Sequence, residues 1–300
     1  MKQVLMLVVM CLLSPLIAKA APLSPVPITG PGITGHLERF EAFPSDHVTP
    51  RNVDIWLPPG YAENPDKRYP VLYMHDGQNV LDPATSYTKI DWSVDEAMTR
   101  LIETGQVREA IVVGIWNTPR RLQEYMPAKA VTGASLHPGG DGAPIPVSDL
   151  ASDEYLRFLV KELKPFVDGR YRTLTGPQDT SVMGSSMGAL ISAYAVAEYP
   201  DVFGSAGCVS THWPVGQGIV IDYLAKKLPP PGNHRWYFDY GSAGVDVEYE
   251  PYQQRADALM QKAGYTAGGN WVTRRFFGAD HNEAAWRERI EVPLTFLLSP

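Results

Sequence analysis

The chain has 300 residues, 44% hydrophobic and 20% charged, with a formal net charge of −7. That length and composition suit one large globular domain or two small ones, and an acidic balance without basic clusters argues against nucleic acid or anionic membrane surfaces as partners.

At the start, Lys2 precedes an apolar run from Val4 to Ile17, followed by Ala18-Lys19-Ala20, an A-x-A cleavage signal. This is the layout of a secretory signal peptide over residues 1–20, cut after Ala20, and the run is short for a membrane span. Cleavage removes Lys2 and Lys19 and takes the charge to −9, with no membrane span left. Cys208 is then the only cysteine, so no disulfide can form within the chain and the fold must hold by its core. A periplasmic or secreted location is expected.

Residues 21–50 open with "APLSPVPITGPGITG", a Pro/Gly-rich stretch expected to form an irregular N-terminal arm ahead of a domain over 51–300. Strands are predicted at Val53–Leu57, Val71–Met74 and Ala110–Ile115; the last is a continuous apolar run suited to burial on both faces. Between them Val94, Ala97, Met98, Leu101 and Ile102 fall on one helical face, with Ser93 and Glu96 as a capping box. Residues 126–147 have no periodicity and read as a long binding loop or lid. A helix carrying Leu156, Leu159, Val160 and Leu163 follows. Strands then come at Thr180–Met183, Ser205–Ser210, Trp236–Tyr240 and Trp271–Phe277, with helices around Tyr252–Ala263 and Glu283–Leu298. Such alternation implies an α/β fold, a mostly parallel sheet with helices on both faces.

Gly184-Ser185-Ser186-Met187-Gly188 fits G-x-S-x-G between a buried strand and a good helix former, the context of a nucleophile elbow. The turn is so tight that residues two positions either side of its centre must lack Cβ atoms, and the central residue takes a strained backbone. Ser186 is therefore the expected nucleophile and Ser185 a small filler. A serine hydroxyl needs a base, and this motif is followed in chain order by an acid and then a histidine. His234 in "PPPGNHRW" precedes a strand, at the wrong sheet edge, whereas His281 follows the strand "WVTRRFF" and shares the edge of Ser186. For the acid, "GSAGVDVEYEP" offers Asp246, Glu248 and Glu250, with Asp239 inside the preceding strand; Asp246, just past the strand end, is favoured. Oxyanion donors are expected at the amide of Met187 and at Gln78 in "VLYMHDGQN". The histidines lack H-x-H or H-E-x-x-H spacing, so no metal or other cofactor is required.

With "DWSVDEAM", "IVVGIWNTPRRLQEYMP", "SVMGSSMGAL", "YPDVFGSAGCVS", "FDYGSAGVDVEYEPY" and "GADHNEAAW", the chain resembles the Putative esterase family of α/β-hydrolases from about Val53 to Leu298. That family holds enterochelin, feruloyl and acetyl-xylan esterases, esterase D and the antigen 85 mycolyltransferases. The resemblance implies an α/β-hydrolase catalytic domain without a large cap, a small-molecule or glycan ester as substrate, and the roles above for Ser186, His281, Asp246, Gln78 and Met187. Trp213 falls where relatives carry aromatics beside the cleft, and Arg120 and Arg121 are candidate contacts for an anionic substrate. A sugar-linked feruloyl or acetyl ester, a siderophore trilactone, acyl transfer to a sugar alcohol, and a non-catalytic binding module are the competing readings. The −9 charge disfavours a polyanionic catecholate.

Overall fold

The computed structural model describes residues 23–136 and 143–300. The signal-peptide segment and residues 137–142 of the long loop lie outside the described residues. In chain order the strands are β1 (Val26–Ile28), β2 (His36–Phe43), β3 (Arg51–Leu57), β4 (Val71–His75), β5 (Ile111–Ile115), β6 (Ser135–Leu136), β7 (Ile145–Pro146), β8 (Thr180–Ser185), β9 (Ser205–Val209), β10 (Arg235–Gly241) and β11 (Trp271–Phe276). The α-helices are α1 (Val94–Glu103), α2 (Arg121–Tyr125), α3 (Ser152–Phe158), α4 (Lys164–Arg170), α5 (Met187–Glu198), α6 (Ile219–Lys227), α7 (Glu250–Lys262), α8 (Glu283–Arg289) and α9 (Glu291–Leu298).

Nine strands form one sheet in the order β1-β2-β3-β5-β4-β8-β9-β10-β11. The β1, β2, β3 and β5 pairings are antiparallel; β5, β4, β8, β9, β10 and β11 run parallel. β4, β5, β8 and β9 are buried along their whole length, as strands covered on both faces must be. The period of two divides their side chains between two cores. Val71, Tyr73, Ile111 and Val113 pack with Leu156, Leu190 and Val220 on one face. Leu72, Met74, Val112 and Met183 pack with Met98, Leu101 and Leu294 on the other. The central strands thus deliver their C-terminal ends, and the loops after them, to one rim. No helix of the described residues is long and apolar enough to cross a membrane.

Three expectations are corrected. Residues 26–28 and 36–43, within the expected irregular arm, are strands; β2 pairs along β3 through a bulge between Phe40 and Phe43 and buries Leu37, Phe40 and Phe43. The capping box at Ser93 is not made: Ser93 has φ 51° and its hydroxyl caps no helix amide, and its own amide, which Glu96 would have accepted from, donates to Asp91 Oδ2 at 3.0 Å. The last helix is two, broken near Pro293, which cannot donate to a preceding carbonyl and crowds the turn before it.

A buried ion pair ties α2 to β3. Arg51 donates twice to Glu124, both at 2.8 Å, with side chains 1% and 2% exposed. Glu124→Ala leaves the guanidinium buried without a counter-charge and is expected to cost roughly 3–5 kcal/mol. A urea-unfolding series checks this, and a loss below about 1 kcal/mol would contradict it.

Candidate active site

The turn from β8 into α5 has the tight geometry its glycines suggest. Ser186 sits at φ 56°, ψ −118°, between the last strand residue and Met187, the first helical one. A Cβ on Gly184 would lie 2.7 Å from the carbonyl carbon and oxygen of Gly188. Only a glycine lets the strand and helix approach this closely. The Ser186 amide donates to Val209 O at 2.9 Å, and its carbonyl accepts from the amides of Ala189, Leu190 and His212.

Ser186 opens into a cleft of about 370 Å³ whose walls include Gln78, Trp92, Arg121, His281, Glu283 and Trp286. His281, in the loop after β11, shares Nδ1 with Asp246 Oδ1 at 2.6 Å. Asp246 is 1% exposed and its Oδ2 accepts from Ser210 Oγ and from the Gly241 amide, both at 2.6 Å. Burial pushes the carboxyl's pKa upward, but the bonds from His281, Ser210 and Gly241 outweigh it and hold it below the ordinary carboxylate value. The carboxylate is thus ionised at neutral pH, and it fixes a proton on Nδ1 of the imidazole, leaving Nε2 free to accept one. Edge-to-face contacts with Trp286 (5.0 Å between centroids) and Tyr249 (5.7 Å) hold the ring from two sides.

The other acids considered are occupied elsewhere. Asp239 accepts from the Ser210 amide, the Tyr237 hydroxyl and the Arg289 guanidinium. Glu250 pairs with Arg275 at 2.8 Å, and Glu248 is exposed. Among the described residues His234 bonds no group of the cleft; its Nε2 donates to Pro200 O at 3.0 Å. Asp246 alone among these four acids touches His281.

After β4, Asp76 adopts a left-handed conformation (φ 57°) and Gly77–Asn79 form a short 3-10 turn. A Cβ on Gly77 would meet the Gly114 carbonyl carbon at 2.4 Å, so the turn lies directly on β5. Arg121 grips Asp76 with two bonds of 2.8 and 2.7 Å, and Asn117 Nδ2 adds a third at 2.6 Å. These contacts, led by the Arg121 charge, overcome burial and keep the Asp76 carboxyl below its usual range. Gln78, on the pinned turn, takes the Asn117 amide on its Oε1 at 3.2 Å. Met187 follows Ser186 at a helix start, where the first amides have no acceptor within the helix.

Two expected contacts are corrected. Trp213 is 0% exposed, packs on Phe238 and donates its indole N–H to Gln253 Oε1 at 2.8 Å, so it is core and not a stacking surface. Arg120 is exposed, bonds the Asp149 carbonyl at 3.2 Å and lies outside the cleft lining; its neighbour Arg121 enters instead. Sequence reasoning passed over Asn79, Trp92, Asn117, Glu283 and Trp286. Asn117 lies in "IVVGIWNTPRR", and Glu283 and Trp286 in "HNEAAW", yet nothing local marks their orientation. It also missed Tyr249, whose hydroxyl bonds His212 Nδ1 at 2.6 Å and lies close to Ser186. Burial lowers the His212 pKa to about 4, so this second imidazole is neutral at pH 7. Asp91, Asp95 and Glu96 bring carboxylate oxygens within 4.8 Å of one another and could hold a cation, but they lie outside the cleft lining.

The family model described as Putative esterase matches residues 47–296. The Bacillus subtilis protein described as Uncharacterized protein YbbA is 25% identical over 195 residues, 64% of this chain and 68% of the relative. Two further curated relatives are matched over 51% and 28% of their own lengths. Among solved structures, a CE1 ferulic acid esterase from Anaeromyces mucronatus aligns with TM-score 0.60 and 20% identity over 91% of this chain and 89% of that one. The enterobactin esterase of Shigella flexneri aligns with TM-score 0.64 and 17% identity over 93% of this chain and 59% of that one. The shared architecture is the α/β-hydrolase fold.

Proposed function

Because this chain belongs to the Putative esterase family, we propose that it is an exported serine carboxylester hydrolase in which Ser186, His281 and Asp246 act as a triad. The observation that carries this reading is the 2.6 Å contact between His281 and a buried, ionised Asp246 at the cleft into which Ser186 opens. The Ser186 side chain lies close to the Tyr249 hydroxyl. Rotation about χ1 carries the serine hydroxyl toward His281, whose Nε2 takes the proton as Oγ attacks the ester carbonyl. The amides of Met187 and Gln78 receive the oxyanion. The protonated imidazole, stabilised by Asp246, returns its proton to the departing alcohol, and a water repeats the sequence to release the acid. Export rests on the leader pattern of residues 1–20.

For substrate we favour an uncharged, sugar-linked feruloyl or acetyl ester over a catecholate trilactone. Arg121, the cleft's guanidinium, is already neutralised by Asp76, while Glu283 adds a carboxyl group. Rates on feruloylated sugar, acetylated sugar and catecholate trilactone test the choice. The sugar esters are expected to have the higher kcat/KM, and a preference for the trilactone would overturn it. Water as acceptor is tested by adding sugar alcohol: transacylated product outpacing free acid would reassign the protein as an acyltransferase.

The elbow makes its own prediction. Gly184→Ala forces the β8–α5 turn apart and displaces Ser186, and is expected to lower kcat roughly 10²-fold. Circular dichroism alongside steady-state rates separates displacement from unfolding; a fully active, folded variant would contradict the steric account.

A further inference from the structure

Beside the nucleophile, two residues in the lining of one cleft each carry a buried polar atom without a hydrogen-bond partner among the described residues, one an acceptor and the other a donor. Glu283 is 2% exposed, and its Oε2 makes no hydrogen bond of normal length among the described residues. Its Oε1 takes a long contact, 3.5 Å, from Asn79 Nδ2. Trp92 is also 2% exposed, and its indole Nε1 likewise lacks an acceptor. The two residues are linked structurally: the Trp92 amide donates to Asn79 O at 2.8 Å, and the Trp92 ring lies 5.5 Å from that of Trp286, one turn along α8 from Glu283. Tyr87, 72% exposed, lines the same cleft, and its hydroxyl reaches toward Glu283.

Buried donors and acceptors are nearly always satisfied, and leaving one unpaired is costly. An acceptor and a donor in one cleft match a hydroxyl, which can give one hydrogen bond and receive another. A carboxylate or phosphate would be repelled by Glu283, and an ammonium offers nothing to the indole N–H. Exposed Tyr87 supplies an aromatic face against which a ring can lie.

We propose that Glu283 and Trp92, with Asn79 and Tyr87 of the same cleft, form a subsite that takes a neutral, hydroxyl-bearing ring of the ester substrate and sets its specificity. Burial raises the Glu283 carboxyl above its ordinary pKa, which fits a group awaiting a hydrogen-bonding partner. The subsite deepens the esterase reading and rests on it.

The test separates binding from chemistry by working in Ser186→Ala. Affinities are measured by calorimetry for two matched pairs: a 4-hydroxycinnamoyl ester with its cinnamoyl analogue, and an acetylated pyranoside with its deoxy analogue. Loss of the hydroxyl is expected to weaken binding about 10- to 100-fold in at least one pair, which tells a phenolic from a sugar hydroxyl. Adding Glu283→Met, close in shape but without the acceptor, or Trp92→Phe, without the N–H, should shrink that ratio toward one. Thermal melts confirm that the variants fold; should one not, the other gives the ratio. Equal affinity within both pairs, no binding of any ligand, or a ratio that survives both substitutions would overturn the proposal. Failure of the esterase reading shows separately, as ester hydrolysis that Ser186→Ala does not diminish.

Discussion

Ser186→Ala is expected to lower kcat/KM for ester hydrolysis by roughly 10⁴- to 10⁶-fold with little change in melting temperature. The large effect follows from the elbow. In the proposed mechanism the hydroxyl is the nucleophile that attacks the ester, placed by a backbone that β8, α5 and the Gly184–Gly188 contact fix independently of the side chain. The small change in stability has the same source. Ser186 holds the turn through its main chain, bonded to Val209, Ala189, Leu190 and His212, and alanine preserves all of these. Residual activity above about one per cent of wild type would point to a different nucleophile or to bound water. Ser185→Ala provides the comparison: the neighbouring serine, buried at the end of β8, is expected to leave kcat within about tenfold.

Asp246→Asn should cost roughly 10³- to 10⁴-fold in kcat, and the hydrogen bonds around the carboxylate explain why. Its Oδ2 faces two donors, Ser210 Oγ and the Gly241 amide. An asparagine must therefore turn its carbonyl oxygen toward them and its NH₂ toward His281. The imidazole is then obliged to accept at Nδ1 and carry its proton on Nε2, the atom that should take the serine proton. The ring stays in place between Trp286 and Tyr249 but in the wrong tautomer. The expected signature is a kcat collapse with KM nearly unchanged. Asp239→Asn should act differently, loosening Arg289 and the Ser210 amide and so lowering stability first. If Asp239→Asn alone abolished turnover while Asp246→Asn did not, the acid would have to be reassigned.

Local signals in the sequence specify much of this protein. The central strands β4, β5, β8 and β9 and the strand–turn–helix at Ser186 were legible because burial on both faces of the sheet favours apolar runs, and a tight elbow demands glycine. His281 and Asp246 were legible for a topological reason: loops after parallel strands gather at one rim, so chain position nearly fixes spatial position. The reading failed where tertiary context overrides local pattern. Pro and Gly around residues 21–35 concealed the edge strand β1 and the start of β2 just after it, whose pairing runs from β1 to β2 and from β2 to β3. Ser93 and Glu96 have capping-box spacing, but Asp91 captures the Ser93 amide first. Trp213 is aromatic near the nucleophile in sequence, yet its side chain turns inward to Gln253. Arg120 and Arg121 are indistinguishable as letters; only packing sends the second to Asp76. Glu283 became visible as a cleft residue only when α8 brought it back over Asn79, from 204 positions along the chain.

The most direct measurement is mass-spectrometric mapping of the adduct formed by a fluorophosphonate probe on the intact protein. One phosphonylated peptide is expected, modified at Ser186, with labelling suppressed in Asp246→Asn because the general base is disabled. Labelling at another serine while Ser186 stays free, or unchanged labelling in Ser186→Ala, would contradict the assignment of Ser186 as nucleophile.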